Sequence, residues 1–130
     1  MKFQPDTLDG VNVITRHEAA HVWVGARPYA RSLLVPWRGE VVDWNVASFA
    51  ALTPAHFEQI ASMAPEVVIL GTGTRLRFPA PALLRALYAQ RIGVESMDLA
   101  AASRTYNVLA NEGRSVLGAF LIEHESVLAA

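Results

Sequence analysis

The sequence predicts an α/β fold, because the spacing of its hydrophobic residues changes near position 51. Residues 1–50 contain short β-branched and aromatic runs separated by turn residues, a pattern typical of strands. Residues 51–125 alternate between helical spacing and short apolar runs. Strands that alternate with helices need crossover connections, so we expect a parallel or mixed sheet. The 130 residues show no repeat, low-complexity run or linker, which predicts a single domain.

Four apolar runs in the first half predict the strands of an antiparallel meander. Turn residues, among them Gly10, Gly25 and Gly39, separate these runs. The predicted strands are Val11–Ile14, Val22–Val24, Ser32–Val35 and Val41–Trp44.

The second half contains three predicted helices. Thr53 is a suitable cap, with Pro54 as the first residue of a helix that ends near Met63. The second helix is expected from Pro81 to Arg91, with Leu84, Leu87 and Tyr88 facing inward and Gly93 just beyond its end. Asp98 caps the third helix, which continues to about Glu112. The strands expected between and after these helices are Val67–Leu70, Val94–Met97 and Val116–Ile122.

Composition excludes several classes of function. Eleven basic and 12 acidic residues give a net charge of -1, which argues against a nucleic-acid-binding protein. The chain has no cysteine, so it has no disulfide, thiol nucleophile or cysteine-bound metal, and it suits a reducing compartment. Its longest bulky apolar run is too short to span a bilayer, and the first residues lack the features of a signal peptide. We therefore expect a cytoplasmic, bacterial protein.

The string His17-Glu18-Ala19-Ala20-His21 matches the zinc-protease pattern H-E-x-x-H. On a helix, two histidines four residues apart can both bind zinc while the glutamate activates a water molecule. The flanking residues indicate strands instead, and along one strand the two histidines would lie about 13 Å apart. A zinc hydrolase is therefore the weakest of three functional hypotheses, and no metal site is assigned.

A glycine turn follows the predicted central strand. Gly71-Thr72-Gly73 lies where ligands bind in open α/β sheets, and its backbone N–H groups, with Arg75 nearby, can contact an anion. The string is neither a dinucleotide fingerprint nor a P-loop. The alternatives are a tight exit from the strand and a pocket of a small anion- or nucleotide-binding protein or enzyme.

The third predicted helix has one polar side. Arg104, Asn107 and Asn111 recur at intervals of three and four residues, opposite the predicted core-facing residues. Asparagine is a poor helix former and a directional hydrogen-bonding group, so this stripe is either solvated or a recognition surface.

Several blocks of the sequence resemble one family. They are Val68–Gly73, Arg75–Pro79, Gly93–Asp98 and Ala101–Leu109 followed by Glu112-Gly113-Arg114, with Tyr29–Val35 and Trp44 upstream. The chain is identified as a member of domain-of-unknown-function family 498, which includes the mitochondrial respiratory complex I assembly factor 3. The resemblance implies three layers: a mixed sheet, helices on one side and an additional antiparallel layer from the N-terminal half. It also implies a non-catalytic role, because the mitochondrial member is an assembly factor and bacterial members have no established activity.

The main hypothesis is therefore a non-enzymatic binding domain that assists the assembly of a respiratory or membrane complex through protein contacts. Its predicted contact residues are Arg104, Asn107, Asn111 and Arg75, with Gly71, Thr72 and Gly73 shaping a pocket nearby. No catalytic residue, cofactor or nucleic-acid partner is assigned. The strand-rich first half is compatible with a homo-oligomer, since exposed strand edges need covering.

Overall fold

The protein, described by a computed structural model over residues 10–124, folds into two sheets and three α-helices. The helices are α1 Pro54–Ser62, α2 Arg85–Ala89 and α3 Leu99–Asn111, with 3₁₀ helices at Phe49–Ala51 and Pro81–Leu84. The strands are β1 Ile14–Glu18, β2 His21–Val24, β3 Arg27–Tyr29, β4 Leu33–Pro36, β5 Val42–Asp43, β6 Val67–Gly71, β7 Gly93–Met97 and β8 Val116–Phe120.

The larger sheet is mixed and has the strand order β5-β4-β8-β6-β7. Strand β6 is parallel to both β7 and β8, whereas β4 is antiparallel to β8 and β5. The smaller sheet is an antiparallel β1-β2-β3 meander. This confirms the predicted α/β class, with a mixed sheet and an additional antiparallel layer. The expectation of one meander across the whole first half is wrong, because β4 and β5 join the larger sheet.

Two apolar clusters lie on opposite faces of the larger sheet. Helices α1 and α2 cover one face, where the largest buried side chains include Trp44, Phe57, Ile60, Leu87 and Leu117. Helix α3 and the smaller sheet cover the other face, around Tyr106, Phe120, Val22, Leu33 and Ile69.

The division of helices between the two faces differs from the expected arrangement, in which all helices lie on one side. The chain moves from β6 outward to β7 and then back past β6 to β8. Right-handed crossovers that run in opposite directions along a sheet place their helices on opposite faces. Helix α3 therefore lies beside the smaller sheet, across the larger sheet from α1 and α2.

Helix α2 is shorter than predicted, because its first turn is a 3₁₀ helix. The three-residue period of that turn buries Leu84 and Leu87 but directs Tyr88 outward, where it is 54% exposed. The prediction that Tyr88 faces inward is wrong. Gly93 is the first residue of β7, and the chain leaves the helix through Arg91 at a φ of 58°.

The prediction of no signal peptide depends on residues 1–9, which lie outside the described part of the chain, as do residues 125–130. None of the helices between residues 10 and 124 combines the length and apolar character that crossing a bilayer requires. The single domain stays a prediction.

Candidate functional site at the carboxyl edge of the parallel strands

The three parallel strands end at the same edge of the larger sheet. The glycine turn follows β6, Asp98 follows β7, and Glu123 lies just beyond β8. Ligand sites of open α/β sheets lie at this edge, so the predicted turn occupies the expected position for a pocket.

The polar groups of the glycine turn form hydrogen bonds within the turn, with the loop that follows it and with the end of β7. The buried Thr72 hydroxyl donates to the carbonyl of Arg75 at 2.7 Å and accepts from the N–H of Arg77 at 3.0 Å. The Thr72 N–H donates to the carbonyl of Met97 at 2.8 Å. Gly73 has a φ of +91°, a conformation that side chains strain.

Gly71 is required for packing. A Cβ at this position would lie 2.9 Å from the Phe120 ring and 3.2 Å from Ala102, so the glycine lets α3 approach the end of β6. The turn therefore has a structural purpose that is independent of any ligand.

An ion pair that the sequence pattern did not predict lies at this edge of the sheet. Arg77 pairs with Glu123, and both side chains are largely buried, at 21% and 26% exposure. The guanidinium lies over the Phe49 ring at 4.8 Å, and the Phe49 N–H donates to Glu123 at 2.6 Å. The partners are 46 residues apart in sequence, so no local pattern connects them.

The charge state of Glu123 follows from these contacts. Burial raises its pKa, but the hydrogen bonds from Arg77 and from the Phe49 N–H, together with the positive charges of Arg77 and Arg75, outweigh it. The net pKa of Glu123 lies below its ordinary value. The positive charge of the exposed Arg75 thus helps to keep the partly buried Glu123 carboxylate ionised.

A cleft of about 280 Å³ opens beside the turn, where α3 begins. Gly73 and Asp98 contribute to its lining, together with His17 and Glu18 at the end of β1. Asp98 is occupied as the helix cap, since its side chain accepts from the N–H of Ala101 at 2.8 Å. Two acidic residues in the lining disfavour an anion, so the geometry gives no support to the anion-binding alternative.

The polar stripe of α3 divides into two kinds of residue. Arg104 and Asn111 are exposed, and Val108 lies between them at 56% exposure. The Asn107 side chain is instead bonded to the backbone of Ile14 at 2.8 Å through both its oxygen and its nitrogen. Its expected role as a free contact residue is corrected, because these bonds attach β1 to α3.

The H-E-x-x-H string forms a hairpin. His17 lies opposite Val22, and Glu18, the last residue of β1, lies opposite His21 in β2. Residues opposite each other share a face, and neighbours along a strand point to opposite faces, so the two histidines point to opposite faces of the smaller sheet. The two histidines therefore lie on two paired strands and share no face, whereas on one strand they would have shared a face. Among residues 10–124, no three His, Asp or Glu side chains form a group that could hold a metal ion.

Comparison with known proteins identifies relatives over most of the chain. Residues 14–121 match the family described as "Protein of unknown function (DUF498/DUF598)". The NADH dehydrogenase [ubiquinone] 1 alpha subcomplex assembly factor 3 of Bos taurus is 39% identical over 100 residues, which are 75% of this chain and 53% of that protein. The chain thus spans about half the length of the curated relatives it matches.

Two solved bacterial structures share the fold. A crystal structure of a Bordetella parapertussis protein has a TM-score of 0.83 and 35% identity, over 90% of this chain and 100% of that one. A solution structure from Bordetella pertussis, described as a Mth938-like domain, also has a TM-score of 0.83, with 30% identity over 98% of this chain and 96% of that one.

Proposed function

The chain belongs to the DUF498/DUF598 family, and on this premise we propose that it is a non-enzymatic, protein-binding domain that assists the assembly of a respiratory or membrane complex. The curated relatives named as complex I assembly factors support this role. The proposed location is the cytoplasm, in keeping with the absence of cysteine.

The observation that carries the proposal is the exposed stripe of α3. Arg104, Val108 and Asn111 lie at intervals of four and three residues, so they share one side of the helix. Contact surfaces have polar groups around an apolar centre, and Arg104 and Asn111 flank the exposed Val108 in this way. Arg75 is a further proposed contact residue; it is exposed, and its backbone carbonyl accepts a hydrogen bond from the Thr72 hydroxyl.

A complementation experiment tests the proposal. A strain that lacks the gene is supplied with the wild-type chain or with the double variant Arg104→Ala/Asn111→Ala, and assembled NADH dehydrogenase is measured on native gels. The deletion is expected to lower the assembled complex, and the double variant to restore less of it than the wild type.

The matched control is Asn45→Ala/Glu58→Ala, which also removes one charged and one amide side chain from exposed positions. The control is expected to restore assembly fully. Unchanged assembly in the deletion strain would contradict the assembly role, and full restoration by the Arg104/Asn111 variant would contradict the surface. Size measurement of the purified chain decides separately whether it is a homo-oligomer.

A further inference from the structure

Strand β7 is an open edge of the larger sheet. It pairs in parallel with β6 on one side, and no described strand pairs with its other side. The N–H of Thr72 donates to the carbonyl of Met97, so the polar backbone groups of Met97 face β6. Because these groups alternate in direction along a parallel strand, Val94 and Ser96 present theirs outward.

An apolar groove of about 540 Å³ runs along this edge. Phe78 and Tyr88 lie beside it at 72% and 54% exposure, which makes them two of the most exposed large hydrophobic residues described. Pro79 and Leu84 form part of its wall, and Val94 forms part of its floor. The groove opens on the face of α2, across the sheet from the exposed stripe of α3, because Leu84 and Val94 belong to the apolar cluster of that face.

Open edges with adjacent apolar pockets bind extended segments by strand addition. The backbone of the segment bonds to the edge strand, and its alternate side chains enter the pockets. In β7, the outward backbone N–H and C=O groups of Val94 and Ser96 supply two donors and two acceptors. The prolines in the loop over the groove restrict the backbone, so less conformational entropy is lost on binding.

The charge at this edge of the sheet determines which kind of peptide segment binds favourably. Glu95 is the single charged residue among the described residues at the groove, and it lies between Val94 and Ser96 with its side chain on the other face of the sheet. A basic side chain opposite Glu95 is favourable, and an acidic one is unfavourable.

The same argument disfavours a second copy. When two β7 strands pair about a two-fold axis, the register that uses the outward groups of both Val94 and Ser96 places Glu95 opposite Glu95 of the other copy. In that register the two Glu95 carboxylates lie directly opposite each other on paired strands, and their repulsion is destabilising. Natural edge strands avoid self-pairing by such charges.

We propose that β7 and its groove bind an extended segment of a partner protein in which hydrophobic and basic residues alternate. The hydrophobic side chains enter the groove beside Phe78 and Tyr88, and the basic one faces Glu95 across the sheet edge. The groove is on the opposite side of the sheet from α3, and the test follows the β7 amides and Glu95 and leaves Arg104 and Asn111 unchanged, so it is independent of the proposed function.

The probe is an eight-residue peptide of alternating valine and lysine with blocked ends. Its comparison peptides replace lysine by glutamate or cluster the lysines at one end. Binding is followed by NMR on the labelled full chain, with the amides of Val94 and Ser96 expected to shift and to exchange more slowly. Ser96→Pro removes an outward donor and is expected to weaken binding about tenfold, since one hydrogen bond and the strand contact are lost.

A charge reversal tests the recognition without depending on that variant. Glu95→Lys is expected to prefer the glutamate peptide over the lysine peptide by about two- to fivefold, whereas the exposed control Glu58→Lys keeps the preference of the wild type. Shifts away from β7, equal binding of all three peptides, or an unchanged preference in Glu95→Lys would overturn the proposal. A wild-type dimer that Ser96→Pro dissociates would overturn it as well, because a second copy would then occupy the edge.

Discussion

The side-chain amide of Asn107 forms two 2.8 Å hydrogen bonds with the backbone of Ile14. The nitrogen donates to the carbonyl of Ile14, and the oxygen accepts from its N–H. The amide thus takes the place of a peptide group from a neighbouring strand, at the irregular point of β1 where its pairing with β2 shifts register. A helix side chain holds the smaller sheet on α3 in this way.

The first prediction concerns the stability that this pair contributes. Asn107→Ala leaves both backbone groups of Ile14 without a partner in a half-buried position, and we expect it to lower the free energy of unfolding by about 1–3 kcal/mol. Urea denaturation measures the effect. Asn111→Ala, on the exposed side of the same helix, is the control and is expected to stay within about 0.5 kcal/mol of the wild type. Equal effects in the two variants would contradict the role of Asn107.

The second prediction concerns pH. The pKa of Glu123 is lower in the folded chain than its ordinary value of 4.5, so its contribution to stability is complete above about pH 4.5 and is lost as the pH falls through the folded-state pKa. Glu123→Gln removes the charge that faces Arg77. We expect it to cost about 1–3 kcal/mol at pH 7 and progressively less below pH 4.5.

Urea denaturation of both proteins at pH 7, 5 and 4 measures this difference. Glu112→Gln serves as the control, since Glu112 is exposed at the end of α3. A constant difference between wild type and Glu123→Gln across this range would show that the carboxylate charge contributes nothing.

Local signals explain why two helices were predictable. Thr53 with Pro54 marks the start of α1, and Asp98 caps α3 as expected, so both helices begin where the sequence indicates. The start of α2 carries no comparable cap, and its 3₁₀ turn changed which residues face inward.

Long-range pairing explains why the rest was not predictable. Strand β8 inserts between β4 and β6, which pairs Leu33 with Phe120 across most of the chain. Nothing local to either strand specifies that order, and the order decides which face of the sheet α3 covers. The role of Asn107 was missed for the same reason, since Ile14 is 93 residues away.

The third prediction concerns metal. His17 and His21 point to opposite faces of the hairpin, so they cannot bind one zinc ion together. We expect EDTA to leave the melting temperature unchanged and native mass spectrometry to find no stoichiometric zinc. Zinc that is bound one per chain and lost in His17→Ala would contradict this geometry.

The fourth prediction concerns the contact between β8 and α3. A Cβ at Gly118 would lie 2.6 Å from the Phe120 ring and 3.1 Å from Tyr106, whose rings meet edge to face at a centroid distance of 6.2 Å. We expect Gly118→Ala to cost about 1–3 kcal/mol, because neither buried ring has space to move. Gly93→Ala is the control, since its Cβ would meet only Val67 at an ordinary 3.7 Å.

The cause can be tested by a double-mutant cycle with Phe120→Leu. The smaller side chain leaves room for the new methyl group, so Gly118→Ala is expected to cost less in the Phe120→Leu background than in the wild type. Urea denaturation of the four proteins gives the coupling free energy. Equal costs in both backgrounds would mean that Gly118 is required for backbone reasons, and that the contact between the glycine and the ring does not determine the residue at this position.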